Sequence, residues 1–250
     1  MAVSRRSFAK NAIAMAAAFK LSSVLPSTGA TKDKKMKIVC VGGHPDDPES
    51  GCGGTLAMLS AAGHSVTIIY LTRGEAGIDG VSHADAATTR SKEATAACAI
   101  LKAKPIFAGQ TDGDTIVNNE WVDKMQKLIF TEKPDVVFTH WPVDSHKDHQ
   151  AASLLTIQSW VRLGKTFPLY FFEVCTGNQT MGFRPTEYVD ISATREQKRK
   201  ALYCHTSQVP DDIYVSADCN HGMMEKFRGI EMNTGAAEAF IKMNSSGVEW

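Results

Sequence analysis

Lys37-Ile38-Val39-Cys40-Val41-Gly42-Gly43-His44-Pro45-Asp46-Asp47-Pro48-Glu49 runs from an apolar segment through two glycines into a cluster of acids, prolines and one histidine. A short apolar run, rich in β-branched residues and closed by glycine, predicts a buried strand over 37–42. Behind it, Asp and Pro are the residues of a tight turn. The pattern recurs later in the chain, where an apolar run over 135–140 leads into Asp144-Ser145-His146-Lys147-Asp148-His149. Open α/β sheets collect their site residues at the carboxyl ends of strands. Both polar clusters stand at such ends, and together they read as two halves of one split metal site.

The first half offers an imidazole and a carboxylate three residues apart, His44 and Asp47, with Asp46 between them; the second offers more imidazoles. Two histidines and one carboxylate form a ligand set for catalytic zinc with one position open. Asp46 is then spare beside the metal, where hydrolysis needs a base to take the proton of an activated water. An N/O donor set also accepts Fe²⁺ or another divalent metal, so zinc is the expected ion without being the only one that fits.

The chain between and beyond these clusters alternates in the same way. Helices are predicted over 53–62, 84–101, 120–131, 148–163 and 195–203, and strands over 65–72, 105–108, 135–140, 169–174 and 188–191. Repeated strand–helix alternation predicts an α/β fold with a Rossmann-like, doubly wound, mostly parallel sheet and helices on both faces. If the strands ending at Gly42 and His140 lie close in that sheet, both motif loops leave the same edge and can converge on one ion.

These residues resemble the LmbE/PIG-L-like family of zinc-dependent N-deacetylases, which act mostly on N-acetylglucosamine-type substrates. The resemblance rests on His44-Pro45-Asp46-Asp47, Gly51-Cys52-Gly53-Gly54-Thr55-Leu56, Leu71-Thr72-Arg73-Gly74-Glu75-Ala76-Gly77, Arg90 with Glu93, Asp144-Ser145-His146-Lys147-Asp148-His149 and His205-Thr206-Ser207-Gln208. It implies that His44, Asp47 and His149 bind zinc and that Asp46 is the general base. His146 would stabilise the oxyanion or help protonate the departing amine, and Asp148 would orient a histidine, as partners of ligating imidazoles do. Arg73 and Asp112 fall where the family contacts substrate. Pro48 stands where the family usually has glutamate, with Glu49 displaced by one. The implied partner is an amino-sugar substrate, a small molecule or an oligosaccharide.

Two other classes compete with this reading. A nucleotide-binding protein could be read from Gly42-Gly43 and the Gly51–Gly54 run, but the spacing is not the dinucleotide fingerprint and acids fill the turn where phosphate would sit. A non-catalytic carbohydrate-binding protein on the same fold has no use for a spare carboxylate beside a metal. Hydrolysis of another amide is a third option.

At the N-terminus, Ser4-Arg5-Arg6-Ser7-Phe8-Ala9-Lys10 matches a twin-arginine export signal, followed by an alanine-rich stretch and a small-residue exit at Thr28-Gly29-Ala30. Residues 1–30 read as removed and 31–250 as a single domain, exported through the twin-arginine translocon to the periplasm without a stable membrane anchor. Removal takes four of the 27 basic residues and none of the 27 acids, leaving a formal charge of −4. No basic stripe remains for nucleic acid. Six scattered cysteines show no close pairing, and no disulfide framework is predicted. Cys204-His205 and Cys219 with His221 are weak candidates for a second metal site.

Overall fold

The computed structural model describes residues 35–243, so the expected export signal lies outside the described residues. Along the chain, β1 (Lys37–Gly42), α1 (Asp47–Ala61), β2 (Ser65–Tyr70), α2 (His83–Leu101), β3 (Ala103–Phe107), α3 (Asn119–Glu132), β4 (Val136–His140), α4 (Lys147–Arg162) and β5 (Leu169–Phe172) alternate strictly. After them come β6 (Glu187–Asp190), α5 (Arg195–Leu202), a single 3₁₀ turn at Thr206–Gln208, α6 (Pro210–Tyr214), α7 (His221–Met232) and β7 (Ala237–Lys242).

The strands form one seven-stranded sheet in the order β3-β2-β1-β4-β5-β7-β6. The first five are parallel, and β7 runs antiparallel to both β5 and β6. The mostly parallel, doubly wound sheet expected from the alternation is therefore the fold observed. Chain order reverses at β1, which pairs with β2 on one side and β4 on the other. That reversal opens a crevice at the carboxyl ends of β1 and β4.

Both faces of the sheet are covered, which is why β1 and β4 read as continuous apolar runs instead of alternating ones. Val39, Val41 and Ile69 enter the core with Val122, Met125 and Leu155 of α3 and α4. Their neighbours face the other layer: Cys40 Sγ lies 3.7 Å from Cys52 Sγ of α1, and the Tyr70 hydroxyl 3.3 Å from Cys98 Sγ of α2.

Helix α1 begins at Asp47, well before the expected start at Gly53, because Pro48 in its first turn is preset for a helical start. The glycine run therefore sits inside a helix. A Cβ on Gly51 would fall 2.4 Å from Phe172 Cδ2, and one on Gly54 2.8 Å from Ile191 Cβ, so these glycines bring α1 close to the sheet. Strand β3 also starts two residues earlier than predicted, at Ala103. Helices α6 and α7 and strand β7 were not anticipated. The absence of a disulfide is corrected too: Cys175 and Cys219 are bonded across 44 residues of sequence. Sequence spacing could not show this pairing, because the loop after β5 meets the start of α7 only in the folded chain.

Candidate metal centre and its cavity

His44 follows β1 by two residues, and Asp47 opens α1. The turn between them is tight. Asp46 takes φ 109°, a left-handed conformation that aspartate tolerates better than most residues. Asp47 folds back, its Oδ2 accepting the His44 N–H at 2.7 Å and lying 3.2 Å from His44 Nδ1. From the other loop, His149 in the first turn of α4 places Nε2 3.2 Å from Asp47 Oδ1. The three expected ligands thus meet at one carboxylate.

The second nitrogen of each ring is also occupied. His44 Nε2 lies 3.1 Å from Asp148 Oδ2, and His149 Nδ1 lies 3.2 Å from Asp144 Oδ1. Both nitrogens of each ring thus face carboxylates; with an ion held at Asp47, the outer carboxylate would take the ring proton and leave the inner nitrogen free to ligate. Asp148 is itself held by Gly113 N–H at 2.8 Å and the Thr115 hydroxyl at 2.6 Å; burial raises its carboxyl, but the His44 ring, with these two bonds, brings it below the ordinary carboxylate range. The histidine that Asp148 faces is His44.

These donors suit a divalent ion. Bonds of about 2.1 Å around tetrahedral zinc place neighbouring donors roughly 3.4 Å apart, close to the spacings seen here. Nitrogens of His44, His146 and His149 all lie within 4.8 Å of one another. Burial raises the Asp47 carboxyl, but His149, His140 and His44 together bring it well below the usual range, as a ligating carboxylate requires.

His146 caps α4. Its Nδ1 accepts the Asp148 N–H at 3.3 Å, so the neutral ring carries its proton on Nε2. Burial lowers its pKa, and His44 and His149 lower it further. Its ring stacks on His149 at 4.6 Å. A neutral imidazole with a free N–H is a donor suited to a developing negative charge.

Asp46 is half-buried against Arg90. One guanidinium nitrogen, Nη2, donates to Asp46 Oδ2 at 2.9 Å and to Pro45 O at 2.7 Å, while Nη1 reaches Gly74 O at 3.1 Å. Burial raises the Asp46 pKa to about 6 and Arg90 opposes the rise, which puts the group in the range useful to a general base near neutral pH. In the sequence Arg90 is legible only as part of a motif, and nothing there points to its contact with Asp46. His140, the last residue of β4, was missed altogether. It is fully buried, its Nε2 accepting Gly43 N–H at 3.0 Å and lying 3.2 Å from Asp47 Oδ2. In the sequence it ends an apolar run and carries no motif.

The other expected residues divide. Asp112 lines the cavity, with Oδ2 accepting Ala76 N–H at 3.0 Å and Oδ1 3.1 Å from His44 Nε2. Arg73 is exposed outside it, its guanidinium 5.8 Å from the Phe107 ring centre, whereas Arg90 lines the cavity. Glu49 turns beneath α1, accepting from the Tyr70 hydroxyl at 2.5 Å and facing His205 Nε2 at 3.5 Å. Glu93 holds Ser207 N–H at 2.8 Å and its hydroxyl at 2.6 Å, tying the His205–Gln208 segment to α2. Of the weak second-site candidates, Cys219 and His221 do come together with Cys175, one donor atom of each within 4.8 Å, but the two sulfurs are bonded to each other as a disulfide; His205 faces Glu49 instead of joining Cys204 around a site. The cluster opens into a cavity of about 400 Å³, also lined by Ala76, Gly113, Val174, Gln179, Gln208 and Ile213.

A doubly wound α/β protein with a histidine–aspartate cluster in its switch-point crevice is the class that fold and site define together. Within that class, residues 39–160 match the PIG-L family, described as GlcNAc-PI de-N-acetylase. The diacetylchitobiose deacetylase of Thermococcus kodakarensis is 32% identical over 194 residues, spanning 71% of this chain and 72% of the relative. The solved N,N'-diacetylchitobiose deacetylase of Pyrococcus horikoshii, complexed with its inhibitor MPG, aligns with TM-score 0.74 at 25% identity, covering 97% of this chain and 94% of that one. The conserved protein TT1542 of Thermus thermophilus aligns with TM-score 0.73 at 30% identity, over 86% and 97%. This chain belongs to the PIG-L (LmbE-like) family.

Proposed function

We propose that the protein is a metal-dependent N-deacetylase that removes the acetyl group from an N-acetylglucosamine-type sugar or glycoconjugate. The observation that carries this reading is the half-buried, Arg90-bound Asp46 beside the His44–Asp47–His149 cluster. The similarity to diacetylchitobiose deacetylases supports the substrate class. His44, Asp47 and His149 would hold the ion, zinc or another divalent metal. Bound there, it supplies Lewis acidity and lowers the pKa of water.

The remaining chemistry belongs to the chain. Asp46 takes the proton of the attacking water at Oδ1, the oxygen that Arg90 does not hold. His146 donates its Nε2–H to the carbonyl oxygen as negative charge develops there. The proton held on Asp46 then passes to the amide nitrogen as the C–N bond breaks, giving acetate and a free amino sugar. Asp112 and Gln208 offer hydrogen bonds to sugar hydroxyls. The test is primary-amine release from a panel of N-acetylated amino sugars, with metal-loaded and chelated protein. Release that depends on metal supports the reading; a loaded protein silent on every member removes it.

The Ser4–Lys10 motif supports export to the periplasm. Changing Arg5 and Arg6 together to lysine should retain the protein in the cytoplasm, and unchanged export would argue against this route.

A further inference from the structure

Among the residues around the cavity, Val174, Cys175 and Ile213 form an apolar stretch of wall. They come from two segments that belong to neither the sheet nor the long helices: the loop after β5 and the stretch running from α6 to α7. Three links join these segments. Cys175 is disulfide-bonded to Cys219, Cys175 N–H donates to His221 Nε2 at 3.2 Å, and Asn178 Nδ2 donates to Asp218 O at 3.2 Å.

The first segment has a second anchor. Thr180 donates its hydroxyl to Asp144 Oδ2 at 3.0 Å, and Ser145 N–H reaches Gln179 O at 3.0 Å, so this loop is tied to the turn that also holds His149. The segment carrying Ile213 is fastened to the rest by the Tyr203 hydroxyl on Asp211 at 2.5 Å and the Tyr214 hydroxyl on Glu225 at 2.6 Å. Cutting the disulfide would therefore leave the His/Asp cluster and its adjoining loop pinned, while the two parts of the wall, Val174 with Cys175 and the segment bearing Ile213, would be joined only by hydrogen bonds. The cross-link bears on the shape of the wall and not on the proton-transferring groups.

We propose that the Cys175–Cys219 cross-link, with Ile213, is a specificity-determining element: it fixes the apolar wall against which the non-reacting surface of the substrate packs. This rests on the deacetylase reading above. An ordered apolar wall contributes to binding because its side chains need not be immobilised when substrate arrives. It also discriminates between substrates differing by a few carbon atoms, since a hydrophobic pocket reads such differences modestly but measurably.

The experiment compares the parent with C175S/C219S, both metal-loaded, on N-acetylglucosamine, N-butyrylglucosamine and N,N'-diacetylchitobiose. Circular dichroism and metal content first establish that the variant is folded and loaded. The expected result is a shift of about tenfold in the ratios of kcat/KM between substrates, carried by KM. Which ratio moves shows whether the wall meets the acyl group or the adjoining sugar. Ile213→Ala keeps the disulfide, trims the same wall, and should move the same ratio if C175S/C219S does not fold. A common factor across all three substrates, or no change in either variant, overturns the proposal. A parent that turns over none of the three, nor any other member of the amino-sugar panel, brings down the deacetylase reading itself, a failure visible before any variant is compared.

Discussion

Arg90 holds Asp46 from two directions at once: a single guanidinium nitrogen lies 2.9 Å from Asp46 Oδ2 and 2.7 Å from the carbonyl of Pro45. It pins the side chain and the peptide before it, in a turn where Asp46 adopts φ 109°. The guanidinium is itself confined. A Cβ on Gly74 would fall 2.2 Å from Arg90 Nη1, and one on Gly77 2.3 Å from the same atom.

Arg90→Gln is expected to lower kcat by roughly 10²-fold, the scale at which a positioned base contributes, while metal content stays at the parent level. In an Asp46→Asn background the same change should cost little more, because residues acting as one unit do not add. Steady-state kinetics of the two single variants and the double variant check this. Full additivity would mean that Arg90 does not act through Asp46.

Removal of a ligand and removal of the base should fail differently. His149→Ala takes away the ring bridging Asp47 and Asp144, and is expected to lose bound metal along with activity. Asp46→Asn keeps His44, Asp47 and His149, and is expected to retain metal while turnover drops by about 10²-fold or more. Metal analysis of the dialysed proteins decides between these outcomes. An active, metal-bearing His149→Ala protein would sink the ligand assignment.

Much of this was legible in the sequence, and the limits of legibility are physical. Alternation of strands and helices specified the mostly parallel sheet because strands covered on both faces read as unbroken apolar runs, as over Ile38–Val41. His44, Asp47 and His149 were legible because they sit in polar clusters at strand ends. Arg90 and His140 were not. Arg90 reaches Asp46 from the middle of α2, across 44 residues, and His140 belongs to the buried strand itself. Strand β7 was hidden because its Ala237-Glu238-Ala239 stretch mixes small and acidic residues. Glu238 is buried there, pairing with Lys198 Nζ at 2.8 Å and accepting two backbone N–H groups from α1.

The contact between α1 and β5 gives a stability prediction tied to the site. Gly51 lets the helix sit where a Cβ would meet Phe172 Cδ2 at 2.4 Å. Gly51→Ala must push either the ring or the helix, at a cost of about 1–3 kcal/mol typical of overpacking a closed core. Because Asp46 and Asp47 begin this helix, activity at a temperature where the variant remains folded is expected to fall as well. Denaturant unfolding and kinetics on the same preparation measure both effects.

His221 sets a pH dependence that belongs to the fold and not to the chemistry. It is fully buried, and burial together with the nearby Lys198 ammonium lowers its pKa from 6.5 to about 3. The folded state keeps the ring neutral while the unfolded chain protonates it below pH 6.5, so the unfolded state binds more protons and stability falls as pH falls from about 6.5 toward 3. Between pH 7 and pH 5 this one group is expected to cost about 2 kcal/mol. His221→Gln retains an acceptor for the Cys175 N–H and removes the titration. Denaturant unfolding of parent and variant at both pH values should show the parent losing more stability on acidification, by about that amount. Parallel losses in the two proteins would mean that His221 is not the group responsible.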